Sequence, residues 1–216
     1  MSCDFLKLRP LHQPCGLPPP PEGEELDCLC VALCQRVRLT RFAAARNDDG
    51  MDTESGHDDF ATGGCACGAV RYSLAIAPYS VNCCHCTDCQ RQSGSAFGLN
   101  AVIETEHVRA SGPELLTDQA PSGSGAGQTI CRCPQCRTVV WSHYAVMGPR
   151  VTFVRVGTLD QPALCPPTVH IFTRSKLYWL PLDPAVPAFA AFYAGRDIPA
   201  LLGEAGAARL RALRAG

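Results

Sequence analysis

The sequence predicts a mainly β fold stapled by metal ions, and two observations carry that prediction. Apolar and polar residues alternate over strand-length runs from Ala69 onward, with proline and glycine between the runs. Set among them are three cysteine clusters, Cys65-Ala66-Cys67, Cys84-His85-Cys86-Thr87-Asp88-Cys89 and Cys133-Pro134-Gln135-Cys136. Their C-x-C and C-x-x-C spacings let one tight turn present two sulfurs to a soft cation.

Taken in order, residues 1–60 read as a poorly ordered extension, with a proline run at Pro18–Pro21, acidic residues after it and a polar acidic stretch from Asn47 to Asp59. Leu26–Phe42 is expected to form a short helix carrying Cys28, Cys30 and Cys34, a set without a C-x-x-C pair. Residues 61–182 form the zinc domain. In Ala69–Ile76, Val70, Tyr72, Leu74 and Ile76 share one face of a half-buried strand that Pro78 ends, and Ser80 and Val81 lead into the second cysteine cluster, expected on a loop. Further strands are expected at Ala96–Ile103, His107–Ala110, Thr129–Cys131, Thr138–Tyr144 and Arg150–Val156, with Val169–Phe172 and Leu177–Leu180 as a last pair. Residues 183–216 are a tail in which Ala188–Tyr193 and Pro199–Arg214 read as short surface helices.

A chain of 216 residues suits one main domain with a tail, and a net charge of -1 supplies no positive field for nucleic acid or anionic membrane. The expected partner is a small molecule. Fifteen cysteines would suit a secreted disulfide scaffold, but Met1–Gln35 is interrupted by Pro10, Pro14 and Pro18–Pro21 and lacks a signal-peptide core, so reduced cytoplasm is the expected compartment. No apolar run approaches the ~18 residues of a membrane-spanning helix.

The clusters hold seven cysteines, which do not divide into two closed four-sulfur sites. Cys84, Cys86 and Cys89 lie within six residues and can wrap one ion alone, leaving a coordination position open, as catalytic zinc sites do. Cys65 and Cys67 need a second pair, best supplied by Cys133 and Cys136. Two zinc ions are therefore expected, one structural and one catalytic. Cys83, Cys131 and Cys165 are surplus and expected to be buried thiols.

The string Gly64-Cys65-Ala66-Cys67-Gly68-Ala69-Val70-Arg71-Tyr72, the second cluster with Gly94-Ser95-Ala96-Phe97, and the Cys133/Cys136 knuckle followed by Trp141 resemble the glutathione-dependent formaldehyde-activating family (GFA, or CENP-V/GFA). His170-Ile171-Phe172, Ser175-Lys176 and Trp179 are similar to its C-terminal strands. The resemblance implies an Mss4-like, zinc-stabilised fold of folded-over antiparallel sheets and the same division of the seven cysteines. It further implies a carbon–sulfur lyase, similar to S-(hydroxymethyl)glutathione synthase, joining glutathione or a similar thiol to formaldehyde or another small aldehyde. The alternative is a binding module of the same fold with both ions inert. Arg137 departs from the family, which usually has glycine there.

Around the open site, His85 and Asp88 are candidates for orienting a proton, though completing the turn is the plainer role, and Arg91, Arg174 and Lys176 are candidate counter-charges. Trp141, Trp179 and the phenylalanines are expected in the core.

Overall fold

The computed structural model describes residues 59–215. The expectations for residues 1–58, including the Leu26–Phe42 helix, lie outside the described residues. In chain order the elements are β1 Ala61–Gly64, β2 Arg71–Leu74, β3 Ser80–Cys84, α1 Thr87–Ser93, β4 Gly98–Glu104, β5 Val108–Ser111, β6 Leu116–Ala120, β7 Gln128–Arg132, β8 Val139–Tyr144, β9 Val151–Arg155, β10 Val169–Ile171 and α2 Ile198–Ala215. The fold is mainly β, as the alternation predicts.

The strands make a three-stranded sheet, β1-β2-β5, and a seven-stranded sheet in the order β10-β3-β4-β9-β8-β7-β6. Every pairing is antiparallel except that of β10 with β3, which is parallel. The main core holds Tyr72 and Leu74 of the small sheet with Ile103, Val140, Trp141 and Val154 of the large one. Tyr72 meets Trp141 edge-on with ring centroids 5.7 Å apart.

Four expectations are corrected. The second cysteine cluster is not on a loop: β3 is buried at all five positions and ends at Cys84, and α1 carries Cys89. A strand buried on both faces shows no alternation, so periodicity missed it. Leu177–Leu180 is a turn rather than a strand, closed by Leu180 N–H donating to Leu177 O at 3.1 Å and by Lys176 Nζ donating to the carbonyls of Leu177 and Leu180. Trp179 accordingly stands 58% exposed, outside the core that Trp141 joins. Ala188–Tyr193 is not helical but runs beside β10, where the N–H of Phe189 donates to His170 O, that of Phe172 to Ala191 O and that of His170 to Pro187 O. Pairing with a strand edge recovers the backbone hydrogen bonds that a helix would have made.

α2 is interrupted at Gly203, whose φ of 64° is not helical, so the C-terminal helix is two short segments. Its second segment buries Ala207 and packs Leu210 against Tyr79, Val102 and Phe153. Arg209 donates to both carboxylate oxygens of Glu104 and to Ala77 O, and lies over the Tyr79 ring. Among the described residues no helix is long and apolar enough to cross a membrane.

Candidate functional site

The turn after β1 carries Cys65 and Cys67, and the turn between β7 and β8 carries Cys133 and Cys136. Their four sulfurs lie within 4.8 Å of one another, with Cys65 to Cys67 at 3.5 Å and Cys67 to Cys133 at 3.8 Å. Four thiolates around a zinc ion at the usual bond length stand about 3.8 Å apart, so this donor set fits zinc. Val70 N–H donates to Cys65 Sγ, and the hydroxyl of Thr138 sits 3.1 Å from Cys136 Sγ. The Thr138 hydroxyl and N–H hold the Cys136 thiol down, to about 5, so this ligand is readily a thiolate.

The second group is built at the junction of β3 and α1. Cys84 is the last residue of β3, Cys86 is the N-cap of α1, and Cys89 lies in its first turn with its N–H 3.4 Å from Cys86 Sγ. All three are buried, with their sulfurs within 4.8 Å of one another. The sulfhydryls of Cys84 and Cys89 pull the Cys86 thiol far below the usual range against the effect of burial, and the N–H groups of Cys89 and Asp88 add to this. The soft, anionic three-sulfur set suits zinc and leaves room for a fourth ligand.

Two glycines let the chain close on this group. A Cβ at Gly98 would stand 3.2 Å from Cys89 Cβ, and one at Gly123 would stand 3.0 Å from Cys86 Cβ and 3.1 Å from its sulfur. Beside the sulfurs opens a cavity of about 320 Å³, reached from β3, β4, β8, the Gly123 loop and the C-terminal segment. Phe172, one of its walls, holds a left-handed backbone with φ 56°, uncommon for a side chain of this size and typical of a functional site.

Several neighbours of the group were not legible in the sequence. Arg155 of β9 donates to Asn100 Oδ1, to Gln92 Oε1 at 3.2 Å and to Ser142 Oγ at 3.1 Å. Cys84 lowers the Cys89 thiol and the Arg155 charge adds to that, but Cys86 and burial outweigh them and push it up to about 11. The signal was present, since Arg155 is a cation ending a strand whose other residues are Val151, Thr152, Phe153 and Val154. Tyr144 lines the cavity, and burial, with Cys89 adding to it, pushes its phenol far up, so it stays protonated. Asn82 also lines it; its Oδ1 accepts from Ser80 Oγ, while its buried Nδ2 has no partner.

Residues singled out beside the cluster are placed differently. His85 is fully buried beside Cys83 and His170, and His170 stands directly opposite Cys83 in the β3–β10 register. His85 Nε2 is 3.1 Å from His170 Nδ1 and 3.6 Å from Cys83 Sγ, a spacing that could also hold an ion. Burial, with His170 and Lys176 adding to it, lowers His85 to about 4, so the two imidazoles share one hydrogen bond as neutral rings. Asp88 faces Arg91 at 4.0 Å, and Arg91 is 80% exposed. Arg174 is exposed and lies over the Phe172 ring at 5.8 Å. Cys83, Cys131 and Cys165 are buried free thiols.

Residues 60–175 match the profile of the family described as glutathione-dependent formaldehyde-activating enzyme. No curated protein matches the chain. A Rhodobacter sphaeroides protein of solved crystal structure is 18% identical over 59% of this chain and 98% of its own, with a TM-score of 0.36.

Proposed function

The chain belongs to the glutathione-dependent formaldehyde-activating enzyme family, and from that premise we propose that it is a zinc-dependent carbon–sulfur lyase. In this reading it forms or breaks a hemithioacetal between glutathione or a similar thiol and formaldehyde or another small aldehyde. The observation that carries it is the inequality of the two cysteine groups, four sulfurs in one and three, beside a cavity, in the other.

Cys65, Cys67, Cys133 and Cys136 hold a structural zinc; Cys84, Cys86 and Cys89 hold a catalytic one. A zinc ion bound there supplies a Lewis-acidic position that lowers the pKa of a thiol. The chain's own groups do the rest. Gly98 and Gly123 let the walls close on the three sulfurs, and the cavity keeps bulk water from the reacting pair. Tyr144, kept protonated, donates a hydrogen bond to the oxygen that becomes the hemithioacetal hydroxyl. Arg155 offsets the negative charge of the sulfurs from outside the cavity wall, three of its N–H groups held by Asn100, Gln92 and Ser142.

The test pairs metal counting with kinetics. Zinc-loaded protein is expected to accelerate hemithioacetal formation above the fast spontaneous rate, and Cys86→Ser to lose one of its two ions together with that acceleration while keeping its β-sheet circular dichroism. Acceleration that survives loss of the ion, or no acceleration by the fully loaded protein, overturns the lyase reading and leaves a zinc-stabilised binding module.

A further inference from the structure

We infer that the aldehyde taken by this site carries an apolar chain or ring, seated in the cavity beside Cys84, Cys86 and Cys89. This rests on the hemithioacetal reading above and names its second reactant.

The cavity's chemistry makes the argument. Phe153, Phe172, Phe192, Met147 and Ile198 supply much of its wall, and among the described residues that wall contains no Lys, Arg, His, Asp or Glu. Three thiolates around a divalent ion leave roughly one negative charge at its floor. The two carboxylates and the ammonium of glutathione would find no ionic partner in such a wall, and burying them unpaired is costly. A charged thiol therefore keeps those groups outside, and the cavity is left to the carbonyl compound.

Size points the same way. A volume of about 320 Å³ is on the order of ten times the share of one water molecule. Formaldehyde, a single carbon and oxygen, would leave most of it empty and gain nothing from the aromatic walls. A six-carbon aliphatic or a phenyl-bearing aldehyde would transfer its apolar surface from water to those walls.

The polar side chains of the wall, Asn82, Asn100, Ser124, Tyr144 and Tyr193, carry no formal charge, and Asn100 is committed, accepting from Arg155 and donating to Gly98 O. The carbonyl oxygen is the one polar atom such an aldehyde brings, and the Tyr144 hydroxyl is left to donate to it. In the addition, the carbon–sulfur bond forms from the thiol's electron pair, the carbonyl π pair moves to oxygen, and the thiol proton ends on that oxygen. No oxidant or reductant is needed.

The experiment compares hexanal with formaldehyde, each with glutathione and zinc-loaded protein, as acceleration over the spontaneous rate. Hexanal is expected to be accelerated at least tenfold more. Phe192→Asp, at a partly exposed wall position, is expected to raise KM for hexanal about tenfold and to abolish calorimetric binding of hexan-1-ol while retaining the melting temperature. Formaldehyde accelerated as much as hexanal, or hexan-1-ol bound equally by Phe192→Asp, overturns the apolar assignment alone. No acceleration of either aldehyde overturns both this inference and the lyase reading.

Discussion

Arg137 closes the Cys133/Cys136 knuckle, its N–H donating to Cys133 O at 3.1 Å, with a φ of 63°. That backbone region brings Cβ against the carbonyl oxygen and strains any residue but glycine by about 1 kcal/mol or more. Replacing it is therefore expected to stabilise. Arg137→Gly should gain roughly 0.5–1 kcal/mol, since glycine's greater freedom in the unfolded chain offsets part of the relieved strain. The melting temperature of the zinc-loaded variant checks this; a fall would mean that the arginine side chain contributes contacts of its own. Arg137 was marked in the sequence by its departure from a pattern, but its conformation was not. The seven cysteines were legible at this scale because ligand spacing is local. Asn82, Tyr144 and Arg155 were not, because their part depends on neighbours from other strands.

At the scale of elements, the C-terminal helix is fastened by an ion pair. Burial pushes the Glu104 carboxyl up, but the paired hydrogen bonds from Arg209 more than offset this and hold it below the usual value of 4.5. The sign follows directly: a carboxyl whose folded pKa is depressed contributes stability that is complete above 4.5 and is lost as the pH falls through the lower folded value. Arg209→Met leaves that carboxylate buried and unpaired, so at pH 7 it should destabilise the protein by roughly 2 kcal/mol, less than a fully buried pair because Arg209 is partly exposed. The difference from the parent should shrink below about pH 4.5. Denaturant titrations at pH 7 and pH 4 check it, and a difference independent of pH would assign the loss to packing over Tyr79 instead. Alternation in the sequence reveals β2 and β9, which have a wet face or a polar end, but not β1, where glycines fill half the strand, nor β6, whose positions are nearly all exposed.

The four-cysteine group joins the turn of the small sheet to a turn of the large one, across the core that Tyr72 and Trp141 share. An ion held there would act on the whole fold, whereas one held at Cys84, Cys86 and Cys89 would sit at a strand end and a helix cap. The two are expected to separate in stability measurements. Cys133→Ser, or chelation strong enough to empty the four-sulfur site, should destabilise by several kcal/mol and collapse cooperative unfolding. Cys86→Ser should keep a cooperative transition. Equal loss in both variants would mean that the three-sulfur group also holds the fold.

The sequence by itself determined which seven cysteines gather, their division into groups of four and three, and the β character of the chain through β10, because thiol spacing and two-residue alternation are properties of a few neighbouring residues. Tertiary structure alone decided what faces the open site. Residues 183–215, read in the sequence as a tail with short surface helices, bring Phe192, Ile198 and Leu210 to the cavity, and β10 pairs in parallel with β3 to set His170 against His85. Those meetings join segments about ninety or more residues apart, through sheet register and buried surface, and no local pattern encodes them.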